Sequence, residues 1–317
     1  MNPALARAAL SAGAFAFLAG GYKRPEALAR EIAEVRGSGA PFGVNLFVPS
    51  RDAIDAAAFR AYAAELAPEA EAHGLTLDPV PVTDDDHWAE KIALLVADPV
   101  PVVSLTFGLP GAGDIQALQA VGTRVVASVT TADEAARAAA RGVDGLVVQG
   151  WGAGGHSATF DAATDPADVP LTELVRRVRA RVELPVIAAG GVHAADQVRA
   201  LREAGAVAVA VGTLLLRTDE AGTAPAHRAA LEDDAFAETV ITRAFTGRPA
   251  RALRNGFTDR HPGAPSAYPA VHHLTRELRQ AAGSAGDTDR LHLWAGVAWR
   301  EAPTGPAADV LRRLAAS

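Results

Sequence analysis

The sequence contains no cysteine and few aromatic residues. Among its 317 residues, 5% are Phe, Trp or Tyr and none is Cys. The lack of cysteine excludes disulfides, thiolate nucleophiles, and metal or iron–sulfur sites with thiolate ligands. Redox chemistry in this chain would therefore need a bound cofactor rather than a thiol.

Long apolar runs and a basic surface are missing as well. No apolar run reaches the ~20 residues that cross a bilayer. The formal net charge is -7 and the basic residues are scattered, which argues against a nucleic-acid partner. With 49% hydrophobic residues, the chain can bury one large core. We expect a cytoplasmic protein with a small-molecule substrate and no membrane partner; the sequence leaves the oligomeric state open.

Short apolar segments alternate with helical patterns along most of the chain. Seven strands are predicted, at residues 15–19, 42–48, 102–107, 124–129, 146–149, 185–189 and 206–211. Because these segments are apolar throughout, they should be buried on both faces, as in a parallel α/β sheet. The strand–helix alternation predicts right-handed βαβ units. The simplest fold is a TIM-type (β/α)8 barrel that lacks its first strand in this sequence; a doubly wound open sheet is the alternative.

The alternation fades beyond about residue 225. Pro, Gly and His become frequent there, with helical patterns at residues 275–282 and 308–315. We predict a cofactor-binding barrel over residues 1–225. Residues 226–317 would form a helical C-terminal extension that packs on the barrel and belongs to the same domain.

One stretch combines a buried strand, a glycine-rich loop and a histidine. The apolar residues 146–148 are followed by Gln149, by residues 150–155 (GWGAGG) and by His156. Glycine lets backbone approach a ligand closely, and loops at strand ends commonly carry function. The loop also matches G-x-G-x-x-G. The turn-rich segment 157–170 offers no helix directly after it, however, so a dinucleotide site is disfavoured.

Polar or small residues end four of the predicted strands. They are Asn45, Gln149 with the nearby His156, Gly190-Gly191, and Gly212-Thr213. In a barrel, these ends face one rim, and backbone N–H groups after the last two strands suit a phosphate. The amides of Asn45 and Gln149 suit the polar edge of a planar heterocycle. Flavin mononucleotide (FMN) satisfies all four sites together, and no metal site is expected.

The residues that carry this pattern resemble a known family. Residues 149–156 (QGWGAGGH) resemble the flavin-loop and histidine motif of nitronate monooxygenases. Further similar segments follow the same order along nearly the whole chain: 15–22 (FAFLAGGY), 42–47 (FGVNLF), 103–110 (VSLTFGLP), 185–192 (PVIAAGGV), 211–215 (VGTLL), 244–251 (AFTGRPAR), Tyr268-Pro269 and 292–296 (HLWAG). The family's opening strand is absent, and Gly152, Ser157-Ala158 and Ala210 depart from the residues usual there.

The resemblance implies a specific activity. Enzymes of this family use FMN and molecular oxygen to oxidise alkyl nitronates, such as propionate 3-nitronate, to an aldehyde or oxo acid plus nitrite or nitrate. His156 would be the catalytic residue, holding the nitronate and acting as a base toward a neutral nitroalkane. Tyr268 would line the pocket. The implied cofactor contacts are Asn45, Gln149, Gly154, Gly191, Ala210, Val211, Gly212 and Thr213.

Two other functions remain open from the sequence. Similar glycine loops occur in flavin-dependent NAD(P)H oxidoreductases such as enoyl-acyl-carrier reductase-like barrels. The missing first strand also allows an inactive remnant that has lost its flavin. Oxidation of NAD(P)H would favour the first alternative, and protein that stays colourless after addition of FMN would favour the second.

Overall fold

The computed structural model describes residues 1–50 and 52–316. Its strands are β1 Phe17–Ala19, β2 Gly43–Phe47, β3 Val102–Thr106, β4 Arg124–Val129, β5 Gly145–Gln149, β6 Gly155–His156, β7 Val186–Ala189, β8 Ala208–Ala210, β9 Thr239–Thr242 and β10 Ala250–Leu253. Its α-helices are α1 Pro3–Ser11, α2 Pro25–Arg36, α3 Ala56–Glu65, α4 Ala67–Glu71, α5 Trp88–Ala97, α6 Ala112–Ala120, α7 Ala132–Arg141, α8 Leu171–Arg181, α9 Ala195–Glu203, α10 Pro225–Ala230, α11 Gly256–Arg260, α12 Ala270–Ala285 and α13 Ala307–Ala315.

Seven of the strands form one parallel sheet. Their order is β1-β2-β3-β4-β5-β7-β8, which follows the chain without reversal. β1 and β8 are the outer strands, and no pairing joins them within the described residues. The sequential order confirms the predicted barrel with one strand missing. It excludes a doubly wound sheet, in which the strand order reverses at a switch point.

The strand register brings the carboxyl ends together at one rim. Phe47 pairs with Thr106 at the end of β2 and β3, and Gln149 pairs with Ala189 at the end of β5 and β7. Ala189 in turn pairs with Ala210, the last residue of β8. Residues that follow these strands are therefore neighbours in space, as in other enzymes of this fold.

The apolar strand residues form the main core with the inner faces of the helices. Leu18, Leu46, Leu105, Val148 and Ala188 are fully or almost fully buried. They pack in one cluster with helix residues whose helical spacing presents one apolar stripe to the sheet, among them Ile32 of α2 and Val178 of α8. The continuous apolar strands thus have the two-sided burial that their composition predicts.

Backbone constraints set the bounds of two helical regions. The Ala-rich segment 53–73 is divided into α3 and α4 near Pro68, because proline lacks the N–H that a helix interior requires; Pro68 lies in the first turn of α4. α5 begins at Trp88, just after the aspartates at residues 84–86. Asp86 and His87 have φ angles of 54° and 55°, which a right-handed helix does not accommodate.

The C-terminal part contains two strands that the sequence pattern did not predict. β9 and β10 form an antiparallel sheet with β6, in the order β6-β10-β9. Ala250 pairs directly with His156, and Ser157 N donates a hydrogen bond to Pro249 O over 2.8 Å. The extension therefore holds the loop that follows β5. No helix among the described residues is both long and apolar enough to cross a membrane.

Candidate functional site

A small pocket lies where the last strands of the sheet end. Its volume is about 230 Å³. The wall includes seven of the eight residues predicted to contact a cofactor: Gln149, Gly154, Gly191, Ala210, Val211, Gly212 and Thr213. The N–H groups of Gly191, Gly212 and Thr213 have no acceptor among the described residues. Free backbone donors around a pocket of this size suit a phosphate group.

The C-terminal segment covers one side of this pocket. Gly296 N donates a hydrogen bond to Thr213 Oγ1 over 2.9 Å, and Val297 N donates to Gly152 O over 3.1 Å. A Cβ on Gly154 would lie 2.4 Å from Gly296 N, so only glycine fits this contact. Because Thr213 Oγ1 accepts from Gly296, its own hydroxyl proton can point to a ligand.

Asn45 lies apart from the glycine-lined pocket. Its Oδ1 accepts hydrogen bonds from Ser104 Oγ and Thr106 Oγ1, each over 2.8 Å. These two hydroxyls come from the neighbouring strand β3, and both are buried. Satisfying the oxygen fixes the amide orientation and leaves the NH₂ group as the donor for a ligand.

Gln149 uses its amide to hold the loop that carries His156. Its Oε1 accepts from Ala158 N over 2.7 Å, and its Nε2 donates to His156 O over 3.1 Å. Sequence reasoning expected this amide to face a heterocycle. The geometry gives it a positioning role as well, because both ends of the amide brace the backbone beside the histidine.

The ring of His156 is surrounded by four aromatic side chains. The distances between ring centres are 5.5 Å to Phe107, 5.5 Å to Trp294, 6.0 Å to Tyr268 and 6.4 Å to Phe47. Sequence reasoning named only Tyr268 of these four. They come from distant parts of the chain, and the strand register and the extension bring them together.

A single hydrogen bond fixes the imidazole of His156. Its Nε2 lies 3.0 Å from Thr246 Oγ1, on the segment between β9 and β10. Nδ1 makes no hydrogen bond to any described residue and stays available to a ligand. Burial, together with the nearby positive charges of Arg248 and Arg279, lowers the pKa of His156 to about 3. The imidazole is therefore neutral at ordinary pH.

Arg248 is a buried cation beside this histidine. Its side chain is 1% exposed, and its guanidinium carbon lies 4.2 Å from the centre of the Phe107 ring. One nitrogen donates to Thr159 O, while Nε has no partner among the described residues. Burial lowers the pKa of Arg248 to about 10, so it remains charged at neutral pH. Its segment is in the motif 244–251, but nothing in the sequence marks this arginine as buried.

Phe107 and Tyr22 have backbone conformations that bulky residues rarely adopt. Their φ angles are 79° and 61°. Such strain persists only where the surrounding structure holds it, and it is concentrated at functional sites. Tyr22 stacks on His272 with 4.1 Å between ring centres, and its ring lies 5.3 Å from Phe47. Both strained residues directly follow a strand, or the glycines after it, at the predicted active rim.

The fold and this site define the class of protein. Enzymes with an α/β barrel have their active sites at the rim where the strands end. Here that rim bears a phosphate-sized pocket and a neutral histidine enclosed by aromatic rings, as expected of an enzyme of this class. The family model described as nitronate monooxygenase matches residues 1–317. The chain therefore belongs to the nitronate monooxygenase family and is an oxidoreductase.

Individual relatives agree with this assignment. The chain is 37% identical to a nitronate monooxygenase of Pseudomonas aeruginosa, over 99% of this chain and 92% of the relative. It superposes with a TM-score of 0.95 on a nitroalkane oxidase from Streptomyces ansochromogenes, which is 45% identical over 99% of this chain and 91% of that one. FabK from Thermotoga maritima, at 24% identity and a TM-score of 0.75 over 99% of this chain and 88% of its own, shares the fold.

Proposed function

We propose that this protein oxidises alkyl nitronates, such as propionate 3-nitronate, with molecular oxygen and with FMN as its cofactor. The products would be an aldehyde or oxo acid together with nitrite or nitrate. The observation that carries the proposal is the neutral imidazole of His156, held at Nε2 and free at Nδ1, on the rim that also bears the glycine-lined pocket. Membership of the nitronate monooxygenase family supports the same reaction.

The residues at the rim fit FMN. The free N–H groups of Gly191, Gly212 and Thr213 would bind its phosphate, and the neutral pocket they line has room for that group. Gly154 and the segment 210–213 would form the rest of this wall. The NH₂ group of Asn45 would face the polar edge of the flavin ring, because its oxygen is already engaged. Gln149 Nε2 already donates to His156 O, so only its second N–H would face the ring. Bound FMN would supply the electron transfer between nitronate and oxygen.

The chain's own groups account for substrate handling. A nitronate is an anion, and the neutral His156 does not neutralise it but can hydrogen-bond to it through the free Nδ1. Nδ1 carries the proton in that tautomer, and Nε2 accepts from Thr246 Oγ1. Toward a neutral nitroalkane, the other tautomer has its proton on Nε2, so Nδ1 can accept the proton from the carbon next to the nitro group. The rings of Phe107, Tyr268 and Trp294 exclude water around the imidazole, which strengthens such hydrogen bonds.

A flavin spectrum combined with oxygen uptake tests the proposal. Purified protein should be yellow, or should become so with FMN, and should consume oxygen when propionate 3-nitronate is added. A His156→Asn variant should retain the flavin spectrum and lose ~100-fold or more in kcat/KM, the usual contribution of a positioned acid–base group. Unchanged turnover in that variant would overturn the role of His156.

The same preparation separates the other functions. Rapid reduction of the flavin by NAD(P)H, without oxygen uptake on nitronates, would indicate a reductase. Protein that stays colourless with FMN would indicate an inactive remnant. The predicted boundary between barrel and extension at residue 225 remains a prediction. The pairing of β6 with β10 supports a single domain, because the extension holds the loop that carries His156.

A further inference from the structure

A second, larger cavity lies beside the aromatic enclosure. Its volume is about 540 Å³. It is bounded by the loop after β1, by the loop before α5 and by one face of α12. Tyr22 and His272, which stack on each other, line this cavity, and Tyr22 also contacts Phe47 in the group around His156. Tyr22 is therefore in contact both with the lining of this cavity and with the aromatic group around His156.

Both acidic groups that line this cavity have partners, whereas its buried arginine has no carboxylate partner among the described residues. Asp84 lies 2.9 Å from His273, and Asp86 lies 2.8 Å from the buried Lys91. Lys23 is paired with Glu31 over 2.6 Å. The two carboxylates of the wall thus already have partners, and neither pairs with Arg279.

Arg279 supplies a positive charge from a fixed position. It lies on α12, is 8% exposed, and pairs with no carboxylate in the described part of the chain. Its Nε donates to Thr275 Oγ1 over 3.0 Å, and its Nη2 donates to His272 O over 2.9 Å. Nη1 has no acceptor among the described residues and is accessible to solvent. A buried guanidinium without a counter-ion is unfavourable until an anion binds to it.

We propose that the cavity at Arg279 binds the carboxylate of an acidic substrate, and that Arg279 determines the preference for substrates that carry one. This proposal rests on the proposed function, since it places the reacting end of the substrate at His156. The guanidinium is held on two sides before the ligand arrives, so little side-chain freedom is lost on binding. Arg276, on the same helix, is exposed and contributes a weaker, solvent-screened attraction.

Two nitronates of equal chain length test the proposal by activity. Propionate 3-nitronate carries a carboxylate, and propyl 1-nitronate does not. In Arg279→Gln, KM for the first should rise about tenfold or more, the usual effect of losing a charged hydrogen bond, while KM for the second changes little. Arg279→Lys should recover part of the loss, and Arg276→Gln should give a smaller rise. An equal rise for both nitronates would indicate a structural role and overturn the proposal.

A binding measurement separates this proposal from the activity itself. Succinate, a dianion with no nitronate group, should raise the Tm of the wild-type protein and raise it less in Arg279→Gln. Equal shifts in both proteins, or no shift in either, would overturn the anion site. If succinate binds through Arg279 and neither nitronate is oxidised, then the proposed function fails and the anion site stands.

Discussion

The guanidinium of Arg248 and the ring of Phe107 stack 4.2 Å apart, and the same ring lies 5.5 Å from the imidazole of His156. Arg248 therefore sets the electrostatic environment of the histidine across one aromatic ring. A permanent positive charge at this position disfavours a second one on the imidazole, in addition to the effect of burial.

Removing this charge should change how activity depends on pH. In Arg248→Met, the pKa of His156 should rise from about 3 toward its ordinary value, because one of the two nearby cations is lost while burial remains. Below that raised pKa, the protonated ring can no longer accept a proton, so kcat/KM for a neutral nitroalkane should fall at acidic pH. Arg248→Lys keeps the charge and should keep the wild-type profile. Identical profiles for the two variants would contradict the role of the charge.

Thr213 should contribute to cofactor affinity through its hydroxyl. Its Oγ1 accepts from Gly296 N, and its proton is free for a phosphate oxygen. Thr213→Val keeps the shape of the side chain and removes both interactions, so the Kd for FMN should rise about tenfold, measured by fluorescence titration. Thr213→Ser should bind FMN nearly as well as the wild type. A valine variant with unchanged affinity would exclude the hydroxyl as a ligand.

The close contact at Gly154 should not tolerate a side chain. A methyl group there would lie 2.4 Å from Gly296 N and 2.8 Å from Thr213 Oγ1. Gly154→Ala should displace the C-terminal segment from the pocket, lower the Tm by several degrees and weaken FMN binding. Gly113→Ala is the matched control, because it lies in α6 with no atom within 4 Å of the new Cβ. Equal behaviour of the two variants would contradict the contact.

Several buried histidines should make the fold sensitive to acid. The pKa is lowered to about 3 for His156, about 4 for His227 and about 2 for His272, mainly by burial. In the unfolded chain these groups bind protons near pH 6.5, so unfolding takes up protons below that pH. Stability should therefore be full above about pH 6.5 and decline as the pH falls toward 4.

Thermal melts across this pH range check the prediction. The Tm should decrease steadily from pH 7 to pH 4 in the wild-type protein. A His227→Gln variant should show a shallower decrease, because it has one fewer neutral histidine to protonate on unfolding. A Tm that is independent of pH over this range would show that burial does not suppress the charge of these groups.

The repeating elements of the barrel could be predicted because their signals are local. Apolar segments that end in glycine or a polar residue indicated all seven strands of the parallel sheet, with boundaries within a few residues of those observed. The strands β9 and β10 could not be predicted in the same way. They are four residues each, and β10 pairs both with β9 and with β6, which lies about 90 positions earlier in the chain.

The residues of the candidate site also fall into those that local sequence patterns predict and those that depend on tertiary packing. The sequence predicted Gly191, Gly212 and Thr213 as cofactor contacts because they follow predicted strands, and strand ends share one rim in a barrel. The structure places all three on the wall of one pocket. Phe107, Arg248 and Arg279 were missed as functional candidates. A positive φ, a buried guanidinium and a missing counter-ion are properties of the packed molecule and have no pattern in the sequence.

The sequence by itself determined the parallel barrel, the family resemblance, and the histidine and glycines that follow the strands, because periodicity and glycine placement are local properties. Only the tertiary structure decided that Gln149 braces the loop and that the C-terminal segment covers the glycine-lined pocket. It also decided that burial, with the charges of two buried arginines, keeps His156 neutral. These relationships depend on distances between residues far apart in the chain. The electrostatic interactions among them are strong because burial excludes the water that would screen them.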